Sequence, residues 1–264
     1  MCGFSGIFLK NNPKFQIDID IHIHKMNDAI SHRGPDGSGV YVNNERNIAL
    51  GHRRLSVMDL SNKASQPMKS ENNRWIILFN GEIYNHIQIK NELKLNYWKS
   101  TSDTEVLLEA CSNWGLEKTL KKVNGMFSFV LWDKKLENLF LITDHIAKKP
   151  IYWLETDTYF AFASELKSLM MLPDFKKDIC SEAVRQYLYQ GYISAPYSIY
   201  KNIFKMKPKN ILKVGKKSNP NFKIYNYGQL FPNSELLRNN NNQIFKLEQI
   251  IEDCVKDRLM SDVP

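Results

Sequence analysis

The sequence lacks a long apolar segment. None of its apolar runs reaches the about 18 residues that a membrane-spanning helix needs. Its beginning has no basic stretch followed by the long apolar stretch typical of a secretory signal. Hydrophobic residues make up 43% and charged residues 24% of the 264 residues, which is ordinary for a globular protein. We therefore expect a protein that does not contact a membrane.

Cysteine is also scarce, and its spacing excludes the usual cysteine-based sites. The four cysteines are Cys2, Cys111, Cys180 and Cys254. No two of them form a CxxC pair, and the alternating His22 and His24 are by themselves no metal site. We expect neither a disulfide framework nor a metal, and we expect a cytoplasmic location, where scattered cysteines stay reduced.

Acidic residues are missing from one segment, and this segment explains the net charge of +8. Residues 201–223 contain eight lysines and no Asp or Glu, so the rest of the chain is balanced. Few aromatic residues lie between the lysines, whereas single-strand-binding grooves combine the two. A solvated, lysine-rich surface is therefore expected, with no nucleic-acid partner.

Short apolar or alternating runs, rich in β-branched and aromatic residues, predict strands. These runs are FSGIFL, GVYV, RLSVMDL, WIILFNGEIY, MFSFVLWD, NLFLIT, PIYWL and TYFAFAS. Helices are predicted at about residues 21–31 and in TSDTEVLLEACSNWG, where Ser102 and Glu105 have capping-box spacing and Gly115 is a stop signal. Strands segregated from helices predict an α+β layered domain rather than alternating βαβ units.

The character of the chain changes after about residue 175. A helix in SEAVRQYLYQGYISAP is expected to end near Gly191. Residues 214–242 are turn-rich and polar, which predicts a linker. In residues 243–264 an amphipathic helix is expected to lead into a further domain that is absent here. Its apolar face comprises Leu247, Ile250, Ile251 and Cys254.

Cys2 follows the initiator methionine directly, in MCGFSG, and two interpretations of it are open. It is either part of a buried strand or a nucleophile that becomes N-terminal once Met1 is removed. In the second case one residue carries both a thiol and an α-amine, and a terminal amine can serve as base for the nucleophile of its own residue. This chemistry needs hydrogen-bond donors for the oxyanion that forms on a carbonyl.

Three further features each allow a functional and a structural interpretation. Asn80-Gly81 would supply an amide and a backbone N–H as oxyanion donors, but by itself Asn-Gly favours a hairpin turn. Arg53 or Arg54 would bind a carboxylate, or would simply form a basic surface pair. Asp103 would bind an ammonium group, or would favour the positive end of its helix. Together they suit an amino acid with a side-chain amide, such as glutamine, and acyl transfer through a γ-glutamyl thioester.

Eight motifs in order resemble the glutaminase domain of class II glutamine amidotransferases, most closely that of glutamine-hydrolysing asparagine synthetases. They are MCGFSG, HRGPDGSG, GHRRLSVMDL, QPM, NGEIYN, SDTEVLLEA, VNGMFSFVLWD and FASELKSL. The resemblance defines a domain over residues 2–213 and continues faintly into VKDRLMSDVP. It implies an N-terminal-nucleophile fold, which is a four-layer αββα sandwich with two antiparallel sheets.

The resemblance also implies a role for each matching residue. Cys2 would be the nucleophile, with its own amine as base, and Asn80 and Gly81 would form the oxyanion hole. Arg54, rather than Arg53, would bind glutamine, and Asp103 would bind the α-ammonium group. Further contacts to glutamine would come from Glu82 and from the strand Leu55, Ser56, Val57 and Met58.

The sequence departs from the family pattern in three places. TDHIAKKPIYW has Thr143, His145 and Ala147 at positions where the family differs. Because they lie outside the glutamine motifs, we expect hydrolysis to persist and ammonia channelling or contact with a second domain to be affected. KMKPKN has Lys209 and Asn210 where the family tends toward Pro-Gly, a tolerable change of turn.

The third departure follows MSDVP, which in the family leads into a glycine-rich pyrophosphate-binding loop. No such loop occurs here, so we expect no cofactor in this chain, and ATP and Mg only where a synthetase domain is supplied. The expected function is a glutaminase half that delivers ammonia to that domain, in cis or in trans, for amidation of aspartate or another carboxylate. Its partners would be glutamine and the synthetase domain, and the exposed final helix would permit a homo-oligomer. The alternative is a non-catalytic fragment or regulatory subunit that keeps the fold only.

Overall fold

Two antiparallel sheets of six strands each form the body of the molecule. The computed structural model describes residues 1–10, 17–45, 47–215, 222–227 and 243–263. The first sheet contains β1 (Gly3–Leu9), β2 (Gly37–Val42), β3 (Ile48–Arg54), β8 (Tyr152–Glu155), β9 (Tyr159–Ala163) and β10 (Ile203–Lys205). Their order is β10-β8-β9-β1-β3-β2, which places β1 in the interior beside β3.

The second sheet contains β4 (Met68–Lys69), β5 (Trp75–Ile83), β6 (Gly125–Asp133), β7 (Asn138–Thr143), β11 (Asn210–Gly215) and β12 (Phe222–Asn226). Their order is β12-β11-β7-β6-β5-β4. Strand β12 falls inside the interval 214–242, which the composition marked as a linker, and pairs with β11 along its length. Most other residues of that interval lie outside the described residues.

Helices cover the outer face of each sheet. The described helices are α1 (Ile19–Asp28), α2 (His86–Leu93), α3 (Asp103–Trp114), α4 (Leu116–Lys122), α5 (Leu166–Leu169), α6 (Ser181–Gln190) and α7 (Gln243–Arg258). Ile23 of α1 and Leu169 of α5 pack with Ile7 on the outside of the first sheet. Leu107 of α3 packs with Ile77 on the outside of the second. The result is the αββα order that the resemblance implied.

Side chains alternate strictly along the strands between the two sheets. In β5, Ile76 and Leu78 belong to the core that the sheets share, whereas Ile77 and Phe79 belong to the core under the helices. In β1 the even-numbered Phe4 and Phe8 likewise face the other sheet. Because both faces are buried, these strands are continuously apolar in sequence.

Most predicted elements are confirmed, with small shifts that local hydrogen bonds explain. Helix α1 begins at Ile19, two residues early, because Asp18 accepts hydrogen bonds from the N–H groups of the first turn. Helix α6 ends at Gln190, with Gly191 in the left-handed conformation after it. The predicted stop at Gly115 is confirmed by its φ of +84°.

The capping box of α3 is confirmed only in its first half. Ser102 accepts a hydrogen bond from the Thr104 N–H at 3.1 Å. Glu105 does not return to the Ser102 N–H, because its carboxylate accepts from the N–H groups of Lys99 (2.9 Å) and Ser100 (2.7 Å) instead. The acidic side chain therefore fixes the loop before the helix, not the cap itself.

Of the two interpretations of Asn80-Gly81, the hairpin turn is excluded, because both residues lie inside β5 and pair with Ser128 and Phe127 of β6. This confirms the strand predicted for WIILFNGEIY. One local prediction near the candidate site is wrong. RLSVMDL is not a strand, because β3 ends at Arg54 and the backbone turns away. We call residues 55–61 the Arg54 loop.

No described helix is long and apolar enough to cross a membrane.

The core between the sheets should dominate the stability of the fold. Trp132 is 1% exposed and its ring lies 5.5 Å from that of Phe8 on the opposite sheet. Trp132→Ala should lower the free energy of unfolding by about 3–5 kcal/mol, since it removes this contact and leaves a cavity. Urea denaturation measures the loss. Leu136→Ala, at a 59% exposed position, should change it by less than about 0.5 kcal/mol, and equal effects of the two variants would contradict the assignment.

Candidate active site

A cavity of about 110 Å³ opens at one end of the layer between the sheets. Nine of the ten residues predicted from the sequence line it: Cys2, Arg54, Leu55, Val57, Met58, Asn80, Gly81, Glu82 and Asp103. The tenth, Ser56, is outside this lining, and its N–H donates to the Asp36 carboxylate at 2.8 Å. Residues far apart in sequence are thus brought to one place.

The alternation of the strands explains why the polar residues meet there. Cys2, just before β1, shares the even-numbered side of Phe4 and Phe8, which faces the other sheet. In β5, Asn80 follows Ile76 and Leu78 on the side that faces the first sheet. The inner faces of two sheets therefore present a thiol and an amide to the same space.

The thiol of Cys2 lies against the beginning of the Arg54 loop. The Leu55 N–H donates to Sγ at 3.4 Å, and Sγ lies 3.5 Å from the Leu55 carbonyl oxygen, to which its S–H donates. Burial raises the pKa of the Cys2 thiol, while the hydrogen bond from Leu55 and the charge of Arg54 act in the opposite direction. The thiol is therefore the resting form, and it needs a nearby base to react.

The backbone at the N-terminus is held by a pair that our site prediction did not include. Arg33 Nε donates to the Cys2 carbonyl oxygen at 2.9 Å, and Arg33 Nη1 donates to Glu165 Oε1 at 2.9 Å. Both residues belong to quoted motifs, HRGPDGSG and FASELKSL, so a signal was present in the sequence. The pair fixes where Cys2 sits rather than contacting its thiol.

Lys149 is a further residue that sequence reasoning missed. It lines the cavity, is 6% exposed, and its Nζ lies 3.0 Å from Met1 Sδ. Burial lowers the pKa of the Met1 α-amine, and the nearby charges of Arg33 and Lys149 lower it further. Lys149 is thus a buried lysine beside the chain terminus. It belongs to TDHIAKKPIYW, the motif in which the sequence departs from the family pattern.

Asn80 carries a buried side-chain donor that the described residues leave unused. The residue is 1% exposed, and its Nδ2 has no hydrogen-bond partner among the residues that the structure describes. An unsatisfied buried amide costs about 1–3 kcal/mol, so natural proteins keep few of them. An amide N–H₂ in a cavity beside a thiol is suited to donate to an oxygen of a ligand.

Gly81, the next residue, has no room for a side chain. A Cβ at this position would lie 2.2 Å from the Met126 carbonyl oxygen and 2.6 Å from the Phe127 Cα of the neighbouring strand. Because both atoms belong to the backbone of β6, neither can move aside cheaply. Glycine lets β5 and β6 stay paired at the cavity wall.

The backbone just before Asn80 is fixed by two buried side chains. Strand β4 pairs with Ile76 and Ile77 of β5 and does not reach Phe79, so side chains bind the backbone there. At Phe79, the Gln66 Oε1 accepts from the N–H at 2.6 Å and His52 Nε2 donates to the carbonyl oxygen at 3.1 Å. Burial lowers the pKa of His52 to about 4, so the ring is neutral at pH 7. Gln66, in the QPM motif, also lines the cavity.

Arg54 organises the loop that follows it. Its guanidinium donates to the carbonyl oxygens of Ser61 (2.8 Å) and Met58 (3.2 Å) and also to that of Asp59. The residue is 8% exposed and borders the cavity. Arg53, in contrast, points to the α1 side, where it donates to the Asn27 carbonyl oxygen at 3.1 Å. The structure thus places Arg54 at the cavity and Arg53 away from it, a choice that the residue pattern alone had left open.

Asp103 lies at the first position of α3 and faces the cavity. Its Oδ2 accepts from the Ile83 N–H at 2.9 Å, which ties the helix to the end of β5. The residue is 5% exposed, and burial raises the pKa of this carboxyl to about 6. Above that pH it is an anion with little solvation, which suits it to bind a cationic group.

No group of three or more metal-ligating residues occurs in the described part of the chain.

The fold, with two antiparallel sheets stacked between helical layers, and the match to a known family define a class of protein, the glutamine amidotransferases. Residues 1–233 match the glutamine amidotransferase domain family, and the chain belongs to that family. Within it, this is a glutamine amidotransferase domain of the asparagine synthetase type.

Two relatives support the assignment to the asparagine synthetase type. The chain is 32% identical to asparagine synthetase 1 (glutamine-hydrolyzing) of Bacillus subtilis, over all of this chain and 41% of the relative. It is 35% identical to a Methanocaldococcus jannaschii protein provisionally named asparagine synthetase 2 (glutamine-hydrolyzing), over all of this chain and 53% of the relative. The chain therefore spans about half the length of the curated relatives it matches.

Solved structures support the fold. Glutamine phosphoribosylpyrophosphate amidotransferase from B. subtilis superposes with a TM-score of 0.61 at 16% identity, covering 86% of this chain and 50% of that one. A structure of the allosteric regulatory enzyme of purine biosynthesis gives a TM-score of 0.62 at 17% identity, covering 86% and 49%. At these identities the similarity concerns the fold alone.

The buried charge of Asp103 should be visible in the pH dependence of stability. Its pKa is about 6 in the fold against the ordinary value of 3.8, so the folded state binds the proton more tightly. Its contribution to the free energy of unfolding therefore falls as the pH rises from about 4 to about 6. Asp103→Asn removes this loss and keeps an oxygen that can accept from the Ile83 N–H.

Relative to the parent, Asp103→Asn should gain on the order of 2 kcal/mol between pH 4 and pH 7. Urea denaturation at both pH values measures this difference. Asp157→Asn, on the loop between β8 and β9, is the matched control and should show no such gain. An equal difference between Asp103→Asn and the parent at both pH values would show that the carboxyl is not buried as a charge.

Proposed function

We propose that this domain hydrolyses glutamine to glutamate and ammonia through a γ-glutamyl thioester on Cys2, once Met1 has been removed. The observation that carries the proposal is the unpaired Nδ2 of Asn80, in the cavity that also holds the Cys2 thiol. A buried donor beside a nucleophile is the arrangement that stabilises an oxyanion.

Removal of Met1 gives Cys2 the free amine that serves as its base. The amine takes the proton of the thiol as Sγ attacks the side-chain amide carbon of glutamine. The oxygen of that amide becomes an oxyanion, which accepts from Asn80 Nδ2 and from the Gly81 N–H. The protonated amine then gives its proton to the leaving nitrogen, so that ammonia departs. Water, deprotonated by the same amine, hydrolyses the thioester to glutamate.

Two cations lie where they would disfavour protonation of that amine. Arg33 binds the Cys2 carbonyl oxygen at 2.9 Å, and Lys149 lines the cavity beside the terminus. A positive charge nearby disfavours protonation of an amine. An unprotonated amine at neutral pH is what the proposed base requires.

Glutamine is held at its other end by groups of opposite charge. Asp103 binds the α-ammonium group, and Arg54, with the loop it organises, binds at the α-carboxylate. Leu55, Val57 and Met58 line the wall beside them, and Glu82 contributes a further polar contact. These assignments place the side-chain amide of glutamine toward Cys2 and Asn80.

The ammonia would be used by a synthetase domain that amidates aspartate or another carboxylate. The names of the relatives and their roughly double length support this part of the proposal. Residues 2–213 would act as the glutaminase unit and would need no cofactor, while ATP and Mg would belong to the synthetase domain. Helix α7 would lead toward that domain.

Labelling with a glutamine-analogue electrophile tests the nucleophile. Protein that lacks Met1 should gain the mass of the reagent on Cys2, because the free amine activates the thiol. Protein that retains Met1, and Cys2→Ala lacking Met1, should gain none there. Cys254→Ala should label like the parent, since Cys254 is exposed on α7. No labelling of parent protein lacking Met1, measured by mass spectrometry, would favour the non-catalytic alternative.

Asn80→Ala tests the oxyanion donor. The kcat for ammonia release should fall about 100–1000-fold, the usual loss for one oxyanion-hole donor, with a smaller effect on KM. Steady-state ammonia release measures both constants. Asn113→Ala, at the far end of α3, is the matched control and should keep kcat. A normal kcat in Asn80→Ala would remove the amide from the mechanism.

A further inference from the structure

A segment from the far end of the chain docks on the Arg54 loop. We call residues 259–263, which follow α7, the C-terminal segment. Within it, the Asp262 N–H donates to the Val57 carbonyl oxygen at 2.9 Å. In return, the Asp59 N–H donates to Asp262 Oδ2 at 2.7 Å. One residue thus makes two reciprocal hydrogen bonds to a loop 203 positions earlier in sequence.

Asp59, the residue that Asp262 binds, is the centre of the loop's hydrogen bonds. Its Oδ2 accepts from the Thr101 N–H at 2.7 Å, its Oδ1 accepts from the Ser61 N–H at 3.0 Å, and its carbonyl oxygen accepts from Arg54. Its φ of +54° lies in the left-handed region, which is uncommon for a residue with a side chain. The loop conformation therefore depends on its partners.

The same end of α7 also contacts the residue that follows β5. The Arg258 guanidinium lies 4.9 Å from the ring centre of Tyr84. Tyr84 comes directly after β5, the strand that carries Asn80 and Gly81. The end of α7 and the C-terminal segment therefore touch both the loop beside Cys2 and the residue directly after the strand that carries the amide.

The contacts at Val57 and Asp59 are close enough to the chemistry to matter. Leu55, whose N–H donates to Cys2 Sγ at 3.4 Å, is two residues from Val57. Val57 and Met58 themselves line the cavity. Over so few residues, a shift of the backbone at 57–59 must move the cavity wall and the group that holds the sulfur.

We propose that Asp262 is a positioning residue for glutamine hydrolysis, which it serves by holding the Arg54 loop closed against Cys2 through Val57 and Asp59. The inference rests on the proposed function, and it deepens it by making the glutamine site dependent on the C-terminal segment. Asp262 touches no reacting atom. Its effect falls on substrate binding, because the loop and Arg54 contribute the wall and the carboxylate contact.

Three variants of the full chain lacking Met1 test the inference. Asp262→Ala removes the acceptor of the Asp59 N–H, and KM for glutamine should rise about tenfold, equivalent to about 1.4 kcal/mol, with kcat within about twofold. Asp262→Asn keeps a side-chain oxygen and should restore KM to within about twofold of the parent. Asp253→Ala, at an exposed position on α7, is the matched control and should leave both constants unchanged.

Hydrogen exchange gives a second measurement that needs no catalysis. The amide of Asp59 should exchange faster in Asp262→Ala than in the parent, and Asp262→Asn should exchange like the parent. Faster exchange with an unchanged KM would mean a merely structural contact and would overturn the inference. Unchanged exchange would overturn it as well. A parent without turnover would refute the proposed function, and the exchange of Asp59 would then decide by itself whether the contact controls the loop.

Discussion

The strict alternation of side chains between two sheets is the constraint on which the rest of the structure depends. Strands buried on both faces must send every second side chain into the shared layer, and 17 buried apolar residues, Phe8 and Trp132 among them, fill that layer. At one end the same alternation brings Cys2 and Asn80 inward instead. The site is therefore a local exception in side-chain chemistry, while the backbone pattern continues through it.

This arrangement places polar groups where burial is costly, and the fold offsets most of that cost. Phe79 has both backbone groups bound by Gln66 and His52, and His52 stays neutral because burial lowers its pKa to about 4. Asp103 accepts from the Ile83 N–H. Six buried side-chain atoms of the described residues lack a hydrogen-bond partner, among them Asn80 Nδ2, Arg33 Nη2 and Ser128 Oγ. Of these six, the Asn80 amide is the one that lines the cavity with Cys2, where the chemistry would use it.

Much of the site could be predicted from the sequence because its residues lie in short motifs, but local patterns failed where distant partners decide the conformation. Asn-Gly is a turn signal, yet pairing with Ser128 and Phe127 makes it strand. RLSVMDL alternates like a strand, yet Arg54 binds the carbonyl oxygens of the following residues and turns the backbone into a loop. Lys149 lies in the quoted motif TDHIAKKPIYW, but only the folded chain places it beside the N-terminus.

Helix α7 has an exposed apolar face and an end that is bound to the rest of the domain. Its apolar residues Leu247, Ile250 and Ile251 are all more than half exposed, so this face is unused by the described part of the domain. Its end, in contrast, is bound through Arg258 to Tyr84, and Asp262 after it is bound to the Arg54 loop. These contacts connect the end of α7 to the Arg54 loop, of which Leu55, Val57 and Met58 line the cavity. Because binding energies couple reciprocally, occupation of the cavity would in turn favour the docked position of α7.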